Sequence, residues 1–269
     1  MPSATSDPAG APSGNGSSGV LQRAELVRPR EVRSGQAVRR DSSTRERADL
    51  LSIILDARDP DTGEGMTNEQ ARDELITFMI TGFVTATSAL GALFHELSQR
   101  PDVERRLHAE LAATLDGRPV TDADLPRLAY AQQVMTETLR LYAPTWFLMR
   151  RVIEDMRLGG LELPVGTELL FAPPALHRDP AVFTNPMVFD PDRFSPENVK
   201  ARNRWEFLPF LGGGRPCIGE HFARLETTLA MATIVRALEI RSTDKEFRCE
   251  VPFTTVADGP IPAHVSPRT

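Results

Sequence analysis

From Asp49 onward, apolar positions recur mostly with the helical period, and the breaks between runs fall at proline, glycine and aspartate. Leu50, Leu51, Ile53, Ile54 and Leu55 form a short apolar helix that ends at the turn-forming Asp59-Pro-Asp-Thr-Gly63. Thr67-Asn-Glu-Gln70 reads as a capping box opening a long helix. Pro101 is tolerated in a first turn; Leu107, Leu111 and Leu115 mark the apolar face of the helix that follows, and Asp116-Gly117 stops it. A further helix is expected from about Leu128 to Tyr142. Between Pro144 and Pro196 proline punctuation takes over, and runs such as Leu161-Glu-Leu163 and Glu168-Leu-Leu-Phe171 read as strands of a small sheet beside the helices. Ile218, Phe222, Leu225 and Leu229 restore the helical period up to about Leu238, and Asp258-Gly259 signals a terminal hairpin. The fold class is therefore mainly α with small β-sheets.

The long helix has a second property. Between Leu75 and Phe94 there are twenty residues without a charge, long enough for a membrane span. Thr77, Thr81, Thr85 and Ser88 nevertheless fall on one face, a stripe a lipid-facing helix has little reason to carry. The expectation is no membrane span but a helix at the centre of a large domain. The hydroxyls could equally back-bond to carbonyls one turn earlier.

Composition narrows the setting. The 269 residues suffice for one large domain or two small ones. Met1 to about Arg47 is rich in Ser, Gly, Pro, Ala and Arg, so residues 1–47 are expected to be a disordered leader and 48–269 to carry the fold. The leader lacks the apolar core of a secretory signal. A net charge of −6 and a pI of about 5.5 give no electrostatic case for nucleic acid. The two cysteines, Cys217 and Cys249, are too few for a disulfide framework and lack the paired spacing of a zinc site, which fits a reducing cytoplasm.

The stretch from Phe207 to Ala223 carries the chemistry. Gly212, Gly213 and Gly214 let the backbone take positive φ and approach a bulky, flat partner. Cys217 follows at or just before a helix N-terminus, where unpaired amides and the helix dipole favour a thiolate. Arg215 adds a forked donor suited to a carboxylate. Taken alone, Cys217 is equally readable as a small buried residue, and a nucleophile working with His221 is a third reading, for which no orienting Asn or Asp is evident.

The spacing Phe210-x-x-Gly213-x-Arg215-x-Cys217-x-Gly219, continued by Ala223, is similar to the haem-binding signature of the cytochrome P450 family of haem-thiolate monooxygenases. The resemblance implies that Cys217 ligates the iron of haem b, and that its electron density favours cleavage of the dioxygen bond. It implies O2 as co-substrate, a small apolar organic substrate and electrons from NAD(P)H through a separate ferredoxin or flavoprotein, since no dinucleotide or flavin fingerprint occurs here. Glu137-Thr-Leu-Arg140 resembles the family's Glu-x-x-Arg helix, and Phe189-Asp-Pro-Asp-Arg193 resembles the segment supplying a second arginine, so Glu137, Arg140 and Arg193 are expected to form a buried ionic triad of structural role. Thr81-Gly82-Phe83-Val84-Thr85 resembles the central-helix motif in which Thr85 aligns with a threonine of proton delivery. The acid of that motif is replaced by Val84, which leaves Thr85 to work with water or a substrate hydroxyl. Arg150, five residues before Asp155, resembles an arginine that binds a haem propionate, and a surface arginine is the alternative. Phe78, Thr81, Gly82, Trp146 and Phe147 match substrate-facing positions. The resemblance runs from about Asp49 to the C-terminus and includes no counterpart of the family's long N-terminal half, so an N-terminally truncated P450 fold is expected. A haem-binding fragment without turnover is the alternative function.

Overall fold

The computed structural model describes residues 49–251 and 254–268, so the leader expected over residues 1–47 lies outside the described residues. The chain divides into two units, Met1–Ile53 and Ile54–Thr269. Of the first, Asp49–Ile53 are described: Asp49 caps the opening turn of α1 (Leu50–Asp56), its Oδ1 accepting from Ser52 N at 2.9 Å.

The second unit is built on α2 (Asn68–Gln99), α3 (Pro101–Leu115), α4 (Ala129–Leu141) and α7 (Glu220–Ala237), with the short helices α5 (Pro173–His177) and α6 (Pro196–Ala201) between them in sequence. The capping box is formed: Gln70 N donates to Thr67 Oγ1 at 3.2 Å, and Thr67 N donates to Gln70 Oε1 at 2.9 Å. Helix α3 starts at Pro101 and ends in the left-handed residue Asp116 (φ 44°). Val103, Leu107, Leu111 and Leu115, one turn apart, are all buried against Leu93 and Leu97 of α2, Ala131 and Val134 of α4, and Met231 and Val235 of α7. Helix α4 has no side-chain cap of its own. Glu110 of α3 supplies one, accepting from Tyr130 N at 2.6 Å and Ala131 N at 2.8 Å, so two orphan amides anchor α4 to α3.

Helix α2 meets the expectation over only part of its length. Its second half, from Ser88 to Leu97, is buried and packs on α3, α4, α7 and the terminal strands. Its first half leaves Ile76, Met79, Ile80 and Phe83 exposed. An all-apolar helix carries no polar face to mark where burial stops, so periodicity could not divide it. Three of the four hydroxyls take the local alternative: Thr77, Thr81 and Thr85 donate to Asp73 O, Thr77 O and Thr81 O at 2.9, 2.7 and 2.7 Å, while Ser88 donates to Thr255 O.

The small β-sheets are four antiparallel two-stranded ribbons among the described residues, two of them in the segment expected to hold one small sheet. β1 (Leu148–Arg151) pairs with β4 (Glu168–Phe171), enclosing the hairpin of β2 (Met156–Leu158) and β3 (Leu161–Leu163). β5 (Leu238–Ser242) continues from α7 and pairs with β8 (Ala263–Pro267), while β6 (Cys249–Glu250) pairs with β7 (Val256–Ala257). The turn at Asp258-Gly259 therefore joins β7 to β8, which do not pair with each other. Five residues of β5 offer β8 a longer ladder than the two of β7.

Candidate functional site

The triad assembles as a buried unit. Glu137 and Arg140 lie three positions apart on one face of α4 and both side chains are 0% exposed. Arg140 grips the carboxylate with both forks, Nε to Oε2 at 2.7 Å and Nη2 to Oε1 at 2.8 Å. Arg193, in the 3₁₀ turn Pro191–Phe194, brings its Nε to 3.5 Å from Glu137 Oε1. Arg140 also donates to three backbone carbonyls, His177 O at 2.8 Å, Pro186 O at 2.7 Å and Val188 O at 3.2 Å, while Asp190 N donates to Glu137 Oε1 at 2.8 Å. Burial pushes the Glu137 carboxyl upward from its ordinary pKa, opposed by the hydrogen bond and charge of Arg140. The cluster thereby fastens α4 to the segment 177–193 that precedes the glycine loop.

The loop itself is held from below by its own backbone. Cys217 N donates to Phe210 O at 2.8 Å, and Ala223 N donates to Gly219 O at 2.8 Å as α7 begins, with Gly219 as its N-cap. Cys217 thus stands two residues before the cap, and its thiol is exposed. This excludes the reading as a packed core residue. Ile218 and Phe222 beside it are 85% and 66% exposed. His221 is exposed and has no hydrogen-bond or ion-pair partner among the described residues, so the orienting group a nucleophilic pair requires is missing.

Three glycines do different things here. Gly213 has φ +76° with open space where a Cβ would stand, Gly214 has open space without the positive φ, and a Cβ at Gly212 would meet Trp205 Cζ3 at 2.9 Å. Gly213→Ala is accordingly expected to cost about 1 to 2 kcal/mol through left-handed strain, and Gly214→Ala to cost nothing, as read from urea unfolding midpoints. On the loop's flank lies a cavity of about 360 Å³ lined by Trp205, Leu208, Phe210, Gly212, Glu220 and Arg224. There Arg224 pairs with Glu220 at 3.0 Å and stacks over Phe210 at 4.8 Å.

The remaining predicted positions are spread along α2 and the first ribbon. Thr85 is half-buried, and Thr81 and Gly82 are exposed, on the open half of α2 with Phe78. The rings of Trp146 and Phe147 touch at a tilt of 58° with centres 4.2 Å apart, just before β1. Arg150 on β1 and Arg215 in the loop are exposed and make no ion pair among the described residues. Two contacts had no signal in the sequence pattern: the Trp205 ring under Gly212, and His177, whose Nε2 accepts from Leu208 N at 3.0 Å.

The donor set also bears on what could be held. Among the described residues no three His, Cys, Asp or Glu side chains are grouped as a metal cage. A metal brought in by a cofactor would need a protein donor such as the exposed thiol of Cys217 beside the open glycine loop.

A family model described as Cytochrome P450 matches residues 29–260. Cyclooctat-9-en-7-ol 5-monooxygenase of Streptomyces melanosporofaciens is 38% identical over 242 residues, covering 90% of this chain and 53% of that protein. Pentalenene oxygenase of Streptomyces avermitilis is 40% identical over 197 residues, 73% of this chain and 43% of that protein. The crystal structure of the cytochrome P450DA haem domain superposes with a TM-score of 0.77 at 31% identity, covering 82% of this chain and 50% of that one. The chain thus spans about half the length of the curated relatives it matches.

Proposed function

Because this chain belongs to the cytochrome P450 family, we propose that it serves haem-thiolate monooxygenation, with Cys217 as the residue that would ligate the iron of haem b. The observation that carries the reading is the exposed Cys217 at the foot of α7, beside an open glycine loop. When bound, the haem supplies the reduction of O2 that inserts one oxygen atom into the substrate. Electrons come from NAD(P)H through a ferredoxin or flavoprotein, and the setting is a reducing cytoplasm.

The chain's own residues have distinct tasks. Phe210, Gly213, Gly219 and Ala223 shape the loop around the ligand. Arg215 and Arg150, exposed and in no ion pair among the described residues, are suited to hold the two propionates with forked donors. Phe78, Thr81, Gly82, Trp146 and Phe147 supply apolar surface with one hydroxyl, suited to a largely hydrocarbon substrate such as the names of the Streptomyces relatives carry.

Thr85 has a specific constraint. Its hydroxyl proton is committed to Thr81 O at 2.7 Å, which leaves its lone pairs to accept from a water or a substrate hydroxyl. To donate, it must leave that bond. With Val84 offering no acid, the hydroxyl of Thr85 would be the group at this point of the motif to pass a proton. Thr85→Val is therefore expected to lower the ratio of product formed to O2 consumed by about tenfold or more while leaving haem content unchanged. A ratio equal to wild type would remove Thr85 from the reaction. Val84 also favours a second reading, haem binding without turnover, which O2 consumption never coupled to product in the unmutated protein would establish.

A further inference from the structure

Helix α5 ends at His177, a side chain with no solvent exposure that belongs to neither the triad nor the glycine loop yet touches both. Its backbone oxygen accepts from Arg140 Nη1 at 2.8 Å. Its Nε2 accepts from Leu208 N at 3.0 Å. A backbone amide can only donate, so the ring is neutral and carries its proton on Nδ1. Nδ1 is buried without a partner among the described residues, so the ring's orientation serves the Leu208 amide alone. The ring also lies against Phe207, with centres 4.8 Å apart, and Phe207 lies against Phe194 at 4.7 Å, the neighbour of Arg193.

Beyond Leu208 the bonds continue toward the cysteine. Leu208 O accepts from Leu211 N at 3.2 Å, and Phe210 O accepts from Cys217 N at 2.8 Å. We propose that His177 is the positioning residue through which the Glu137–Arg140–Arg193 cluster sets the place of the Phe207–Cys217 loop. One end of the residue is clamped by Arg140, and the other fixes the chain where it enters the loop. Without the acceptor, Leu208 N would be a part-buried orphan, and the loop would keep the Phe207–Phe194 ring contact but lose its side-chain hydrogen bond to His177. Burial and the charges of Arg140 and Arg178 push the ring's pKa down to about 4, which keeps Nε2 available as an acceptor at neutral pH. The idea rests on the proposed function only for its consequence, the presentation of Cys217 as a ligand; the placement of the loop is a property of the protein alone.

Amide hydrogen exchange of the full chain, followed by mass spectrometry, tests it with His177→Leu and His177→Gln. The carboxamide oxygen of glutamine can accept from Leu208 N, and leucine cannot. H177L is expected to speed exchange across 207–217 by about tenfold, the loss of one hydrogen bond, with α4 unchanged, and H177Q to restore protection. Unchanged exchange in H177L, equal acceleration in α4, or no rescue by glutamine would each overturn the role. After loading with haem, H177L is expected to show a reduced share of the thiolate-type carbon-monoxide band, and H177Q to recover it. If the unmutated protein shows no such band, the haem reading falls, and the exchange result still decides the role of His177.

Discussion

Glu137→Ala is expected to destabilise the fold by about 3 to 5 kcal/mol. The reason is the imbalance it leaves. Glu137 is the carboxylate that answers both Arg140, fully buried, and Arg193, whose side chain is 11% exposed. Removing it strands a guanidinium that keeps three backbone carbonyls as partners but no counter-charge. It also takes the acceptor from Asp190 N. The exposed pair Arg106–Asp192 provides the contrast. It has the same forked geometry, with both contacts at 2.7 Å, but lies in solvent, and Arg106→Ala is expected to cost within about 1 kcal/mol. Urea unfolding of the two variants beside the parent gives the comparison, and a Glu137→Ala loss no greater than that of Arg106→Ala would show that the cluster does not hold the fold.

Helices α3 and α4 were legible because each buries one face, and the leucines at four-residue spacing in α3 record that face directly. The capping box at Thr67 was legible for the same kind of reason, since both of its bonds are local. Partners far apart in sequence were not. Nothing in the spacing of Ala263–Pro267 says that it pairs with β5 rather than turning back on β7, because strand pairing is decided by which edges the helices leave open. The cut between the buried and open halves of α2 is equally non-local. At the site, the Glu137–Arg140 pair follows from helix geometry, but Arg193 joined it only through family resemblance, 53 positions beyond Arg140 in the chain. His177 offered a lone histidine and no more. Its meaning depends on Leu208, whose contribution is a backbone amide that no side-chain pattern records.

Replacing Cys217 should abolish thiolate ligation outright. The thiol is exposed, its backbone is pinned to Phe210, and among the described residues no other cysteine lies in a comparable loop. Cys249, also exposed, sits in the short strand β6 without a glycine cradle. Cys217→Ala deletes the sulfur at a site where it fills no core space, so unfolding midpoints should change by less than about 0.5 kcal/mol while the ligand is lost. The absorbance spectrum of the reduced, carbon-monoxide-bound protein reads this directly. The unmutated chain should give a thiolate-type band that is absent in Cys217→Ala and unaffected in Cys249→Ala; a band that survives loss of Cys217, or that never forms in the unmutated chain, would contradict the assignment of Cys217 as the haem ligand.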